Sequence, residues 1–213
     1  LILHSFTVNP FAENTYVLSK SGKALIVDPG FFYQAETDRL LQYLDASGLI
    51  PVAVLQTHAH IDHIIGIPAV LKLWPGIPTY MHPDEKENWR RVPETAARFG
   101  FKMDPIPDTT IALETLGKID LHGFEMEVRH VPGHAPGHLV FWFEEQSTLI
   151  AGDTLFQGSV GRTDLYMGDF EVLEAAIRSQ LYTLPSDTVV YPGHGSSTTI
   201  GEEMHSNPYV RLA

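Results

Sequence analysis

Thr57-His58-Ala59-His60-Ile61-Asp62-His63 places three histidines and an aspartate within six residues, directly after the apolar run 52–55 and before a helical stretch over 64–73. In an extended segment, residues two apart project to the same side, so His58 and His60 can grip one cation together. Asp62 and His63, at the turn into the helix, can face a second. Four potential ligands tied to one strand end are hard to reach by chance, and the cluster still leaves each cation short of donors. More ligands are therefore expected downstream.

The chain supplies them. Val131-Pro132-Gly133-His134-Ala135-Pro136-Gly137 holds a histidine in a turn stiffened by two prolines and two glycines, and Tyr191-Pro192-Gly193-His194-Gly195 repeats the device. Ala151-Gly152-Asp153-Thr154 sets a carboxylate at the end of another apolar run. Any one of these alone reads as an ordinary turn. Together with the first cluster they give a candidate metal-ligand set of His58, His60, Asp62, His63, His134, Asp153 and His194.

Their spacing suggests how the chain is organised. Lys23-Ala24-Leu25-Ile26-Val27 ends in Asp28, a helical pattern follows around Leu40, Leu41 and Leu44, and a second apolar run leads to His58. The later half repeats this: the run 148–151 leads to Asp153, a helix capped by Asp169 buries Phe170, Leu173, Ile177 and Leu181, and the run 189–191 leads to His194. Each half is thus a βαβ-like unit. Between them, 118–121, 124–130 and 139–143 read as strands, the first two joined through His122-Gly123. The expected fold is α/β (α+β): two mixed sheets face to face with helices outside, their strand-end loops gathered along one edge. The stretch 83–107 is charged and proline-punctuated, and reads as an insertion with one or two short helices. We take residues 1–213 as a single domain.

Composition narrows the function. A formal net charge of -12 disfavours nucleic acid or an anionic membrane as partner. The chain has no cysteine, so any metal here relies on imidazole and carboxylate. No stretch approaches the roughly 20 apolar residues of a membrane span, and the opening residues carry no secretion signal. The expectation is a cytoplasmic enzyme with a small-molecule substrate, as a monomer or small homo-oligomer.

The ordered set His-x-His-x-Asp-His, His, Asp, His resembles the metallo-β-lactamase fold superfamily. That resemblance implies a four-layer αββα sandwich and two divalent metal ions. One ion would be held by His58, His60 and His134, the other by Asp62, His63 and His194, with Asp153 and a hydroxide bridging both. Asp28 matches a position that braces the metal loop in that family. Two cations about 3.5 to 4 Å apart would lower the pKa of a shared water toward 7, and Asp62 and Asp153 would be the catalytic carboxylates.

Within the superfamily, Phe11-Ala12-Glu13-Asn14-Thr15-Tyr16, the stretch from Gly152 to Leu165 and the ending around Asn207-Pro208-Tyr209 are similar to short, single-domain bacterial members of the glyoxalase II (hydroxyacylglutathione hydrolase) group. This implies hydrolysis of a thioester such as S-lactoylglutathione, with zinc as the expected metal and iron or manganese as alternatives. Two features depart from the two-domain glyoxalases II. No counterpart of their C-terminal helical domain follows His194, and Asp164 and Ser196 stand where they carry tyrosines. Arg162 is then the remaining cation at a matching substrate-binding position, with Phe156 and Tyr166 as further candidates. Trp89 and Phe99 line a pocket or lid, or pack in the core.

Three other readings stay open: a persulfide dioxygenase with one iron on His58, His134 and Asp153, a lactonase, and a metal-stabilised binding protein. A β-lactamase is disfavoured, because the first-described group needs a cysteine ligand and a secretion signal is expected to be absent. His4, His82, His122, His130 and His205 read as surface or packing residues, and His138, one turn beyond His134, as support for that residue's loop.

Overall fold

The apolar runs that end in candidate ligands become the central strands of two separate sheets. The structure is a computed structural model describing residues 1–114 and 116–212. The chain divides into two compact units, Leu1–Met81 with Lys86–Ala112 and His82–Glu85 with Leu113–Ala213.

Unit 1 is built on β1 (Ile2–Val8), β2 (Glu13–Lys20), β3 (Lys23–Val27), β4 (Ile50–Leu55), β5 (Thr79–Met81) and β6 (Thr110–Ala112), hydrogen-bonded in that order. The first two pairings are antiparallel and the next three parallel, so the sheet is mixed. Helix α1 (Gln34–Ser47) makes the crossover from β3 to β4 and buries Thr37, Leu40 and Leu44. Leu40 and Leu44 share a core with Val17, Ala24, Ile26 and Val54. Leu18, Leu25 and Leu55 alternate to the opposite face and are fully buried too. Burial on both faces is why these strands read as continuous apolar runs.

The expected helix over 64–73 is two helices, α2 (Ile61–Ile64) and α3 (Ile67–Leu73), with Gly66 between them. The insertion forms α4 (Lys86–Arg90) and α5 (Val92–Arg98) after a 3₁₀ turn at Pro83–Glu85. Trp89 is a core residue, buried and donating its indole N–H to the Ile106 carbonyl at 3.2 Å. Phe99 is half exposed, packed edge-on to Phe11.

Unit 2 holds β7 (Gly117–Leu121), β8 (Phe124–His130), β9 (Leu139–Phe143), β10 (Thr148–Gly152), β11 (Leu155–Phe156), β12 (Ser159–Val160), β13 (Val189–Pro192) and β14 (Thr198–Thr199). Its large sheet runs β14-β13-β10-β9-β8-β7, with β10 and β13 parallel and the other pairs antiparallel. The β7–β8 turn is the expected His122-Gly123 pair, both at positive φ.

Helix α6 (Phe170–Ala176) links β10 to β13, with the Asp169 carboxylate accepting the Val172 N–H, and continues as a π turn through Leu181. Leu173, Ile177 and Leu181 are fully buried. The expectation for Phe170 fails: at the first helical position it lies outside the core and is 38% exposed. Helix α7 (Ile200–Ser206) completes the unit.

The expected α/β class, with two large mixed sheets, helices and a βαβ element in each half, is thus observed. Among the described residues, no helix is long and apolar enough to cross a membrane.

Candidate functional site

In unit 1 the chain leaves β4 at Leu55 and enters α2 at Ile61, so His58 and His60 lie just beyond a strand end and Asp62 and His63 in the helical turn that follows. The His58 ring lies 4.6 Å from that of His60 and 4.2 Å from that of His63 between centroids. His63 Nε2 is 3.7 Å from Asp62 Oδ2. His58 and His63 are fully buried, whereas the Asp62 side chain keeps 15% exposure, which leaves it reachable by a small molecule.

Asp28, at the end of β3, organises this loop. Its Oδ1 accepts the Thr57 N–H at 2.7 Å, and its Oδ2 accepts the Thr57 hydroxyl at 2.5 Å and lies 3.0 Å from His63 Nδ1. Thr57 Oγ1 is in turn 3.0 Å from His58 Nδ1. One carboxylate therefore fixes the proton of both imidazoles on Nδ1, which presents Nε2 of each as the ligand atom. Donor atoms of Asp28, His58 and His63 all lie within 4.8 Å of one another, but both Asp28 oxygens are already engaged by donors, the arrangement of a brace.

A further layer of partners reaches Asp62 through its backbone. Asn9 Nδ2 donates to the Asp62 and Gly30 carbonyls at 2.9 and 3.0 Å, and Glu36 of α1 accepts the N–H groups of Asn9, Phe32 and Tyr33. Glu13 is fully buried, 3.8 Å from His63 Nδ1, and its burial pushes its carboxyl well above the ordinary range. Sequence reasoning missed Asn9, Glu36 and Thr57. Glu13 opens β2, a strand of mixed polar and apolar residues, so no local pattern marked it.

In unit 2 the three candidate ligands converge. Asp153 Oδ2 lies 3.6 Å from His134 Nε2 and 3.5 Å from His194 Nε2. His134 Nδ1 is 2.7 Å from the Arg162 carbonyl; an oxygen there can only accept, so the proton sits on Nδ1 and Nε2 faces Asp153. That close approach requires Gly161, where a Cβ would stand 1.9 Å from the Asp153 carbonyl oxygen and 2.9 Å from His134 Nδ1. His138 supports the strand end beside it. Its Nε2 accepts the Asp153 N–H at 3.0 Å, steadying the strand end that carries the carboxylate. The Gly193 N–H donates to the Gly152 carbonyl at 2.8 Å and ties the His194 turn to the same strand end.

The substrate-binding candidates separate. Phe156 packs edge-on to His194 at 6.3 Å between centroids. The Arg162 guanidinium makes two hydrogen bonds of 2.7 Å to Asp164, which hold the Asp164 carboxyl down at about 2 and neutralise much of the cation. Tyr166 sits in a turn and is 41% exposed. The donors of both groups are imidazole and carboxylate alone, with Nε2 presented at His58, His63 and His134, a chemistry that fits divalent first-row cations.

Residues 8–194 match the family model of the metallo-beta-lactamase superfamily, and the chain belongs to that superfamily. This makes it a metallo-hydrolase by class, from a superfamily that binds divalent metals. It is 39% identical over 208 residues to a Haemophilus influenzae protein named hydroxyacylglutathione hydrolase GloC, covering 95% of each chain. Among solved structures, it is similar to TTHA1623 in a di-iron-bound form, with 35% identity, a TM-score of 0.86 and coverage of 97% of this chain and 99% of that one. It is also similar to the BLEG-1 B3 metallo-beta-lactamase, with 35% identity, a TM-score of 0.85 and coverage of 98% and 99%.

Proposed function

We propose that this protein hydrolyses a thioester, S-lactoylglutathione or a related hydroxyacyl thioester, with two divalent metal ions. One observation carries the reading: a single Asp153 oxygen stands 3.6 Å from His134 Nε2 and 3.5 Å from His194 Nε2, so the carboxylate lies within co-ligand distance of both imidazoles and can serve a cation held by each. In this reading the two units work as one catalytic domain. His58, His60 and His134 would hold one ion and Asp62, His63 and His194 the other, with Asp153 as a ligand available to the pair. When bound, such a pair lowers the pKa of a shared water and polarises the scissile carbonyl.

The chain's own residues supply the rest. Asp28 and Thr57 keep His58 and His63 in the Nε2-ligand tautomer, and the Arg162 carbonyl does so for His134. Asp62, the partly exposed carboxylate of the first group, would accept a hydrogen bond from the attacking water as well as hold its metal. Phe156 offers an apolar wall beside His194. Asp164 weakens Arg162 as an anchor for an anionic thiol such as glutathione. The likeness to GloC supports the thioester. The likeness to BLEG-1 favours a second reading, attack on a β-lactam, by the same water on a different carbonyl.

Elemental analysis of the purified protein, with parallel assays of S-lactoylglutathione, a lactone, a β-lactam and oxygen uptake on glutathione persulfide, separates these readings. Two metals per chain with preferred thioester hydrolysis is expected. One iron with oxygen uptake, or preferred turnover of the lactone or β-lactam, overturns the proposal.

A further inference from the structure

The segment His82–Glu85 belongs to neither ligand group. The chain leaves unit 1 at Met81, contributes these four residues to unit 2, and returns to unit 1 at Lys86. Within unit 2 the segment lies along the loop that carries His134 and meets it at several points. Glu85 is fully buried, and its Oε1 accepts the Gly137 N–H at 2.7 Å. His82 packs against the same glycine so closely that a Cβ there would stand 2.9 Å from His82 Nδ1 and 3.0 Å from Glu85 Cγ. The His82 ring also stacks on His130, with centroids 4.5 Å apart and planes within 5°. His130 Nε2 in turn donates to the Pro136 carbonyl at 2.9 Å.

A polar group is costly to remove from water, so the fully buried carboxyl of Glu85 needs a hydrogen-bond partner. Glu85 Oε1 accepts a hydrogen bond from a backbone amide three residues beyond His134. The His82–His130 stack reaches the preceding carbonyl. The His134 loop is thereby restrained at Pro136 and Gly137 from one side, while the Arg162 carbonyl restrains the His134 ring from another. Burial and the neighbouring His130 hold His82 below the ordinary imidazole range, which favours the neutral ring at pH 7 and spares the stack a buried charge.

We propose that His82–Glu85 is a strap that positions the His134 loop for metal binding, with Glu85 as the positioning residue and Gly137 as its point of purchase. The inference rests on the reading of His134 as a metal ligand. Removal of Glu85 leaves the His134 ring its contact to Arg162 but lets the loop backbone drift, so metal affinity falls although no ligand has been touched.

The test titrates metal-stripped full-length protein with zinc against a chromogenic chelator and records the visible spectrum of the cobalt(II)-loaded form. Glu85→Ala should raise the zinc Kd by about tenfold or more and alter the cobalt spectrum. Glu85→Gln keeps an acceptor oxygen for the Gly137 N–H and should stay within about twofold of wild type. A folded Glu85→Ala protein with wild-type affinity and spectrum overturns the strap, as does a Glu85→Gln protein that loses as much as the alanine variant. If Glu85→Ala fails to fold, Gly137→Ala, which pushes the strap away from the loop, should weaken zinc binding. Wild-type affinity in that variant overturns the proposal. A wild-type protein that binds no zinc overturns the proposed function itself, whereas one that binds zinc and hydrolyses a thioester while Glu85→Ala is unaffected overturns the strap alone.

Discussion

The loops over 57–63 and 131–138 both present buried histidines, yet they are held by different means. The first is braced by side chains: Asp28 reaches the Thr57 amide, the Thr57 hydroxyl and His63 Nδ1. The second is braced largely through backbone groups: the Arg162 carbonyl on His134, the Gly137 amide on Glu85, and the Pro136 carbonyl on His130. A side-chain brace can be deleted by one substitution. Where the bracing group is itself backbone, as the Arg162 carbonyl is, it can be removed only by displacing the chain that carries it, which makes close-packed glycines such as Gly161 part of the apparatus.

The largest effect is expected where the comparison gives way. Asp153→Ala removes the carboxylate that lies beside both His134 and His194, and should lower turnover by about three orders of magnitude and metal content with it. Full activity in that variant would refute a shared carboxylate. Next, Asp28→Ala should weaken metal binding about 10- to 100-fold, because two imidazoles lose their orienting partner together. Competition with a chelator measures this, and unchanged affinity would mean that the side-chain brace is dispensable.

The contrasting change is Arg162→Ala. The residue supports His134 through its carbonyl, so metal affinity should hold. Loss of a surface guanidinium already paired with Asp164 should raise the KM for an anionic thioester only about two- to fivefold, with kcat little changed. A steep loss of metal in this variant would show that its side chain, rather than its backbone, is what matters.

The smallest effect concerns pH. His82 lies beside His130, Asp84 and Glu114, and its folded value is depressed, chiefly by burial. The unfolded chain therefore takes up this proton first. The stability that His82 contributes is present above the ordinary value of 6.5 and is lost as pH falls through the depressed folded value. Between pH 7 and 5 the Tm should fall more in wild type than in His82→Phe, which keeps a stacking ring without the titration. Parallel slopes in calorimetry would remove His82 from the account.

The same contrast explains what the sequence revealed. Ligands that follow apolar runs, such as His58 after β4 and Asp153 after β10, announce themselves because burial on both faces leaves a continuous apolar strand with a polar residue at its end. The His122-Gly123 turn and the Asp169 cap were legible for similarly local reasons. Glu85 was not: within a charged, proline-punctuated stretch it looks like one more surface acid, and its partner Gly137 lies 52 residues away. Glu36 is hidden in the same way, as a first-turn helix acid whose carboxylate also accepts the Asn9 N–H from 27 residues upstream. Trp89, a lid candidate by sequence, is a core residue because its indole finds the Ile106 carbonyl. Arg162 was legible as a cation, but the support its carbonyl gives His134 depends on backbone geometry that no residue type encodes.

The most direct test of the shared centre is anomalous diffraction from crystals of the metal-loaded protein, recorded at the absorption edge of the bound metal. The account predicts two ions, one on His58, His60 and His134 and the other on Asp62, His63 and His194, with Asp153 bound to both. A single ion, or His134 and His194 turned away from the loop over 57–63, would contradict it.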